Sequence, residues 1–207
     1  WYATDFNGDV YDETGVQFFT MEYLAGRTLK EHLRATGGSL PVASVVTIAR
    51  VLTSALVYAH ERIIHRDLKP SNIILDGDLK PTILDFGLAK FMTSDHLSMT
   101  NAVMGTYDYQ SPEQREDPSR VDRRTDIFSM GVLMYEMLTG EIPSGHFDPP
   151  SKIVSGIPIR LDRIIMKCLQ SKPDRRYSTA SELLFDLDDL KKVGVGIFRR
   201  IGESLGA

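Results

Sequence analysis

His65-Arg66-Asp67-Leu68-Lys69-Pro70-Ser71-Asn72 and, further on, Asp85-Phe86-Gly87 are the two pieces of sequence on which the reading of the fold turns. Between them lie Ile73-Ile74-Leu75 and Thr82-Ile83-Leu84, separated by Asp76-Gly77-Asp78. Short runs of β-formers on either side of a Gly-Asp turn predict a hairpin. Asn72 opens the first strand and Asp85 sits at the end of the second. Strand pairing therefore predicts that an amide and a carboxylate meet from positions far apart in sequence. An isolated aspartate is more often a surface charge or a cap, and an isolated asparagine a turn residue. Their spacing as a set is what singles them out.

Working outward, a helix is predicted over 40–60, since Val45, Ile48, Ala49, Leu52, Leu56 and Ala59 recur with a helical period. Ser39 is its expected N-cap and Pro41 sits in its first turn. Before it, Thr28 to Ala35 reads as a short helix stopped by Gly37-Gly38, and residues 1–22 as two strands around a polar loop. After the hairpin, residues 86–120 show no period and read as a long functional loop. Ile127 to Leu138 is apolar nearly all round, predicting a central buried helix ended by Gly140. Leu161, Ile164, Ile165, Cys168 and Leu169 form one face of another helix. Thr179 and Glu182 predict a capping box for a last helix faced by Leu183, Leu184, Leu187 and Leu190.

Composition narrows the classes. The 207 residues are 42% hydrophobic and 25% charged, ordinary for a globular chain with a sizeable core. The formal net charge of −4 argues against a general nucleic-acid or membrane-surface binder. The single cysteine, Cys168, makes no internal disulfide and reads as a buried small hydrophobe of a reducing compartment. No apolar run reaches the roughly 20 residues that span a bilayer, and no signal peptide is visible. The chain begins at Trp1, in what looks like a strand, so an upstream part is expected.

The quoted stretch resembles the catalytic loop and metal-binding triplet of protein kinases, in order and spacing. Eight fixed letters coincide, which chance gives on the order of 10⁻¹⁰ per start site. The resemblance covers about residues 16–190 and leans toward the eukaryotic-like Ser/Thr kinases of bacteria. It implies an α+β, protein kinase-like fold: residues 1–21 a remnant of the N-lobe β-sheet, 22–190 the hinge and mainly helical C-lobe, 191–207 a tail or linker. It implies transfer of the γ-phosphoryl of Mg-ATP to a protein Ser or Thr hydroxyl. Such chemistry needs an in-line nucleophile and cations on the phosphate oxygens. Asp67 would orient the hydroxyl and accept its proton, and Lys69 would put positive charge near the phosphoryl group. Asn72 and Asp85 would supply hard oxygen ligands to Mg²⁺. His65 and Phe86 read as core, with Gly87 completing the triplet.

Further resemblances follow. Gly105 to Glu113 looks like the end of an activation loop, with Ser-Pro-Glu for the commoner Ala-Pro-Glu, and Glu113 is expected to pair with Arg176. Asp126 resembles the buried aspartate that holds the catalytic-loop backbone. Met21 would be the gatekeeper, the backbones of Glu22 and Leu24 would bond the adenine edge, and Ile74 would form its floor. Lys69 and Thr106 favour Ser/Thr over Tyr substrates. Arg66, before the catalytic Asp67, marks kinases switched on by loop phosphorylation, with Thr100 and then Ser98 as the best acceptors.

Residues 1–21 contain neither a Gly-x-Gly-x-x-Gly nor a lysine. The family's phosphate cover and strand lysine are therefore missing, and this chain alone is expected to have little activity. The expected partner is a protein substrate, with a kinase dimer open to the parent, and the expected location is cytoplasmic, with an anchor outside this chain open to the parent too. The rival readings are a pseudokinase or interaction scaffold, opposed by the intact Asp67, Asn72 and Asp85, and a small-molecule kinase, opposed by Thr106 and Glu113.

Overall fold

The computed structural model describes residues 3–4, 10–11, 17–18, 23–84 and 107–190. Its first three strands are β1 (Ala3–Thr4), β2 (Val10–Tyr11) and β3 (Gln17–Phe18), an antiparallel sheet in the order β1-β2-β3. The sequence predicts two strands here. The β-forming pair Val10-Tyr11 adds a third strand, paired on both sides.

A second antiparallel sheet joins β4 (Arg27–Thr28), β5 (Ile73–Leu75) and β6 (Pro81–Ile83). The predicted hairpin is present, paired Ile73 to Ile83 and Leu75 to Pro81, with β6 one residue earlier than the sequence suggests. Asp76 builds the turn: its Oδ1 accepts from the Asp78 and Lys80 amides at 3.0 and 2.9 Å. The left-handed residue is Leu79, φ 60°, rather than Gly77.

Helix α1 (Leu29–Ala35) starts at a reciprocal box in which Thr28 Oγ1 accepts from the Glu31 amide and Glu31 accepts from the Thr28 amide. Helix α2 (Val42–Ala59) follows, with Pro41 itself at the N-cap and no side-chain cap. Ser39 does not cap it. The Leu40 amide next to it is drawn to Met137 O at 2.7 Å, and the extended Pro41 opens the helix directly. Val45, Ile48, Ala49, Leu52 and Leu56 are buried, as their spacing predicts. With 18 residues and mean hydropathy 1.8, α2 comes closer to a membrane span by length and composition than the sequence reading allowed. Its apolar face is spent on the core.

In the stretch read as loop, residues 107–120 fold into 3₁₀ turns at Tyr107–Tyr109 and Pro118–Arg120 around α3 (Pro112–Glu116). Prolines at the first positions start the Pro112 and Pro118 elements without wasting a donor. Helix α4 (Arg124–Thr139) is the axis of the molecule, with Ile127, Met130, Leu133, Met134 and Met137 all sealed from solvent. Gly140 ends it at φ 77°, the left-handed stop read from sequence. Helices α5 (Pro150–Ile153) and α6 (Ile159–Cys168) pack on α4, α6 through its predicted face. Gly131 permits the approach: a Cβ there would lie 2.7 Å from Cys168 Cβ. A last helix, α7 (180–190), buries Leu183 and Leu187. The Glu182 amide bonds Thr179 Oγ1 as expected, while the Glu182 carboxylate reaches the Ser178 amide.

Candidate active site

The site is built on the turn between α2 and the β5–β6 hairpin. Leu68 and Ile73 are fully buried and pin the turn to the core, so the polar residues between them are held at the surface. A 3₁₀ turn at Pro70–Asn72, closed by the Asn72 amide on Lys69 O at 2.9 Å, folds Asn72 back toward Asp67. Asn72 Nδ2 donates to Asp67 O at 2.8 Å and to Asp67 Oδ2 at 3.0 Å. Lys69 Nζ lies 2.7 Å from the same Oδ2. The side chains of Asp67 and Lys69 stay 32% and 20% exposed, enough for a substrate to reach them. The Leu84 amide donates to Asn72 O at 2.8 Å and so ties the hairpin's far strand to the turn.

Behind the turn stands Asp126, in the first turn of α4 and fully buried. Its carboxylate accepts from the His65 amide and the Arg66 amide, each at 2.8 Å, and from His60 Nε2 at 2.9 Å. A buried carboxylate is tolerable only with donors of this kind. What they hold is strained: Arg66 has φ 67°, a conformation that costs a non-glycine residue about 1–3 kcal/mol. The partners also settle the His65 tautomer. Leu84 O, 2.8 Å away, can only accept, so Nε2 carries the proton and Nδ1 accepts from the Asp67 amide at 3.2 Å.

The segment 107–116 is fixed from three directions. Glu113 makes a two-pronged pair with Arg176 at 2.6 and 2.8 Å, as the sequence predicts. Burial pushes the Glu113 carboxyl up, but the Arg176 bonds, with backbone and Ser111 donors, outweigh it and hold the group below the usual glutamate range. The Tyr109 hydroxyl donates to Glu136 at 2.7 Å, and Ser129 Oγ donates to Tyr109 O at 2.8 Å. Glu136 is raised, because burial outweighs the Tyr109 bond and the nearby Lys30. Gln114 Nε2 donates to Arg66 O at 2.6 Å, and the Thr125 hydroxyl donates to Gln114 Oε1 at 3.0 Å.

Of the residues singled out by sequence, the structure brings Asp67, Lys69 and Asn72 together, and sets His65, Arg66 and Asp126 behind them. It places Glu113 on Arg176 at a second point. Leu24 and Ile74 are half-buried, Leu24 shortly before β4 and Ile74 on β5, the strand β4 pairs with. Met21, Glu22, Asp85, Phe86, Gly87, Ser98, Thr100, Thr106 and the tail 191–207 lie outside the described residues. The sequence reading missed His60, Gln114 and Thr125. Each is a single polar residue whose partner comes from a different element, and no period or spacing marks it.

Comparison with known proteins agrees with this geometry. The family model described as a protein kinase domain matches residues 8–186. A probable serine/threonine-protein kinase of Clostridium acetobutylicum is 36% identical over 198 residues, 88% of this chain and 30% of that protein. The serine/threonine-protein kinase PrkC of Bacillus subtilis is 33% identical over 199 residues, 86% of this chain and 30% of that protein. The chain thus spans about 30% of the length of these relatives. The crystal structure of the Mycobacterium tuberculosis PknI kinase domain is similar with TM-score 0.67 and 25% identity, over 88% of this chain and 69% of that one. A protein kinase domain match over residues 8–186, on a mainly helical body preceded by a small sheet, places the chain in the protein kinase family.

Proposed function

We propose that the chain carries the catalytic turn of a protein Ser/Thr kinase that transfers the γ-phosphoryl group of ATP to a Ser or Thr hydroxyl. One observation carries the reading: Lys69 Nζ and Asn72 Nδ2 converge on a single oxygen of the solvent-accessible Asp67. Asp67 orients the incoming hydroxyl and takes its proton as the new P–O bond forms and the bond from the γ-phosphorus to the bridging oxygen breaks, leaving ADP. The two donors keep Asp67 aimed, and Lys69 can turn to the phosphate oxygens as negative charge gathers there.

The donor set suits Mg²⁺. Asn72 spends its Nδ2 on Asp67, and its Oδ1 has no hydrogen-bond partner among the described residues. No group of three His, Cys, Asp or Glu side chains among the described residues is placed to hold a metal. We assign as its ligands Asn72 and Asp85, which follows in sequence the Leu84 whose amide bonds Asn72 O. Held there with ATP by Asn72 and Asp85, Mg²⁺ would neutralise charge on the phosphates. Glu22 and Leu24 backbones, Met21 and Ile74 are assigned to the adenine. The Thr100 hydroxyl, then Ser98, is assigned as a phosphate acceptor whose phosphate Arg66 would bind, and Thr106 is assigned with Lys69 to the preference for Ser/Thr substrates. A lone cysteine and ATP as donor suit a cytoplasmic setting.

The test is transfer of labelled phosphate to a generic Ser/Thr substrate by the protein purified with any segment that precedes Trp1. Asp67→Asn should lower kcat by about 10²- to 10⁴-fold. Transfer that survives the substitution, or is absent from the unaltered protein, defeats the reading. The 207-residue chain alone should transfer little, since residues 1–21 offer no glycine-rich cover and no lysine. Robust transfer by it would overturn that part. Mass spectrometry after incubation with ATP should find phosphate on Thr100 or Ser98, and finding neither removes the regulatory assignment.

A further inference from the structure

The strained turn that aims Asp67 is held by both of its peptide faces, and only one holder belongs to the assigned machinery. Asp126 takes the Arg66 N–H at 2.8 Å. The Arg66 carbonyl, which leads directly into Asp67, accepts from Gln114 Nε2 at 2.6 Å. Gln114 in turn is not left to choose its orientation. A carbonyl only accepts, so the amide nitrogen must face Arg66 and the amide oxygen must face Thr125. Thr125, fully buried, spends its one hydroxyl proton on Gln114 Oε1 at 3.0 Å. Its oxygen also meets the fully buried Ser111 hydroxyl, whose one proton is shared between Thr125 and the Glu113 carboxylate. The result is a short relay, Thr125 to Gln114 to the Arg66 carbonyl, with Ser111 packed behind it.

Position adds the second half of the argument. Thr125 and Asp126 are neighbours in the first turn of α4, so the two holders of Arg66 share one rigid base. Gln114 and Ser111 belong to the segment 107–116, anchored separately through Glu113 to Arg176. The Gln114 bond is therefore the point at which that segment grips the catalytic turn.

We propose that Gln114 is a positioning residue for catalysis: it clamps the Arg66 carbonyl, fixes the aim of Asp67, and makes that aim depend on the folding of the 107–116 segment. This rests on the kinase reading, and the experiment separates the two. In the protein purified with any segment preceding Trp1, Gln114→Glu keeps the shape and removes the donor. Gln114→Met keeps the length and removes both polar atoms. Either should lower kcat about tenfold to a hundredfold, as misplacement of a reacting group by about an ångström does, with KM for ATP within about twofold. Thr125→Val, which breaks the relay one bond earlier, should give a smaller loss, and Thr125→Ser should restore it. Hydrogen exchange should quicken at the Arg66 and Asp67 amides in both Gln114 variants while the α4 interior stays protected. Unchanged kcat, or a fall in melting temperature with unchanged kcat and unchanged exchange at those amides, overturns the proposal. Transfer missing from the unaltered protein defeats the kinase reading instead, and the exchange measurement then decides the clamp alone.

Discussion

At the scale of single residues, Arg176 shows how much one side chain can be asked to hold. Its side chain has no exposed surface, and each of its five N–H donors is used. Two go to Glu113, and the others to the carbonyls of Gln170, Arg124 and Ser171 at 2.7, 3.1 and 3.1 Å. The guanidinium also lies 4.9 Å over the Phe128 ring. Lysine offers three donors from a point and cannot reproduce a planar fork. Arg176→Ala should cost about 3–5 kcal/mol, because it strands a half-buried carboxylate. Arg176→Lys should cost about 1–3 kcal/mol through its unpaired carbonyls. Urea unfolding measures both, and an Arg176→Lys protein as stable as the unaltered one refutes this account. The pair with Glu113 was legible only through the family resemblance, which sets the Ser-Pro-Glu segment against a late arginine. The three carbonyls were not, because a backbone acceptor carries no side-chain mark.

Between elements, the fold is decided at the crossing of α4 and α6, where Gly131 faces Cys168 and Leu169. A methyl group at 131 would sit 2.7 Å from Cys168 Cβ and 3.1 Å from Leu169 Cγ. Neither neighbour is the loose end of a long side chain, so the helices must part. Gly131→Ala should therefore destabilise by about 1–3 kcal/mol despite the better helix propensity of alanine. Calorimetry checks the sign, and a rise in Tm would show that the crossing has slack. Adding Cys168→Ala does not remove the clashing Cβ, so it should not rescue Gly131→Ala. The helices α2 and α6 were legible because their buried residues repeat, Val45 to Leu56 and Leu161 to Leu169, and α4 because Ile127 to Leu138 is apolar nearly all round. The short pieces were not. Ser39 has the chemistry of a cap, yet the bond from the Leu40 amide to Met137 O places it elsewhere, a tertiary contact that no local rule anticipates. The 3₁₀ turns and α3 in 107–120 are likewise shaped by what they grip. In the site, Asp67, Lys69 and Asn72 were legible as a spaced set, whereas His60, Gln114 and Thr125 depend on three elements meeting.

For the molecule as a whole, the same two glutamates that anchor the 107–116 segment give its stability a pH dependence with opposed signs. Glu113 is held below its ordinary range when folded, so its contribution is present above that range and lost as pH falls through the folded value. Glu136 is raised by burial, so the folded state binds its proton more tightly than the unfolded chain does. Its charge therefore costs stability at neutral pH, and the cost fades as pH falls and the group protonates. Glu136→Gln keeps an oxygen for the Tyr109 hydroxyl without the charge. It should raise Tm at about pH 8 and lose that advantage toward about pH 4, near the ordinary carboxylate range. Glu113→Gln should lower Tm at neutral pH, with the deficit shrinking toward acid. Plotted as differences from the unaltered protein, the two curves lie on opposite sides of zero and converge on it at low pH. Curves on the same side, or a Glu136→Gln difference flat across that interval, would mean that the buried glutamate by Tyr109 is not where folding and protonation meet. The segment's two anchors would then have to be explained by packing alone.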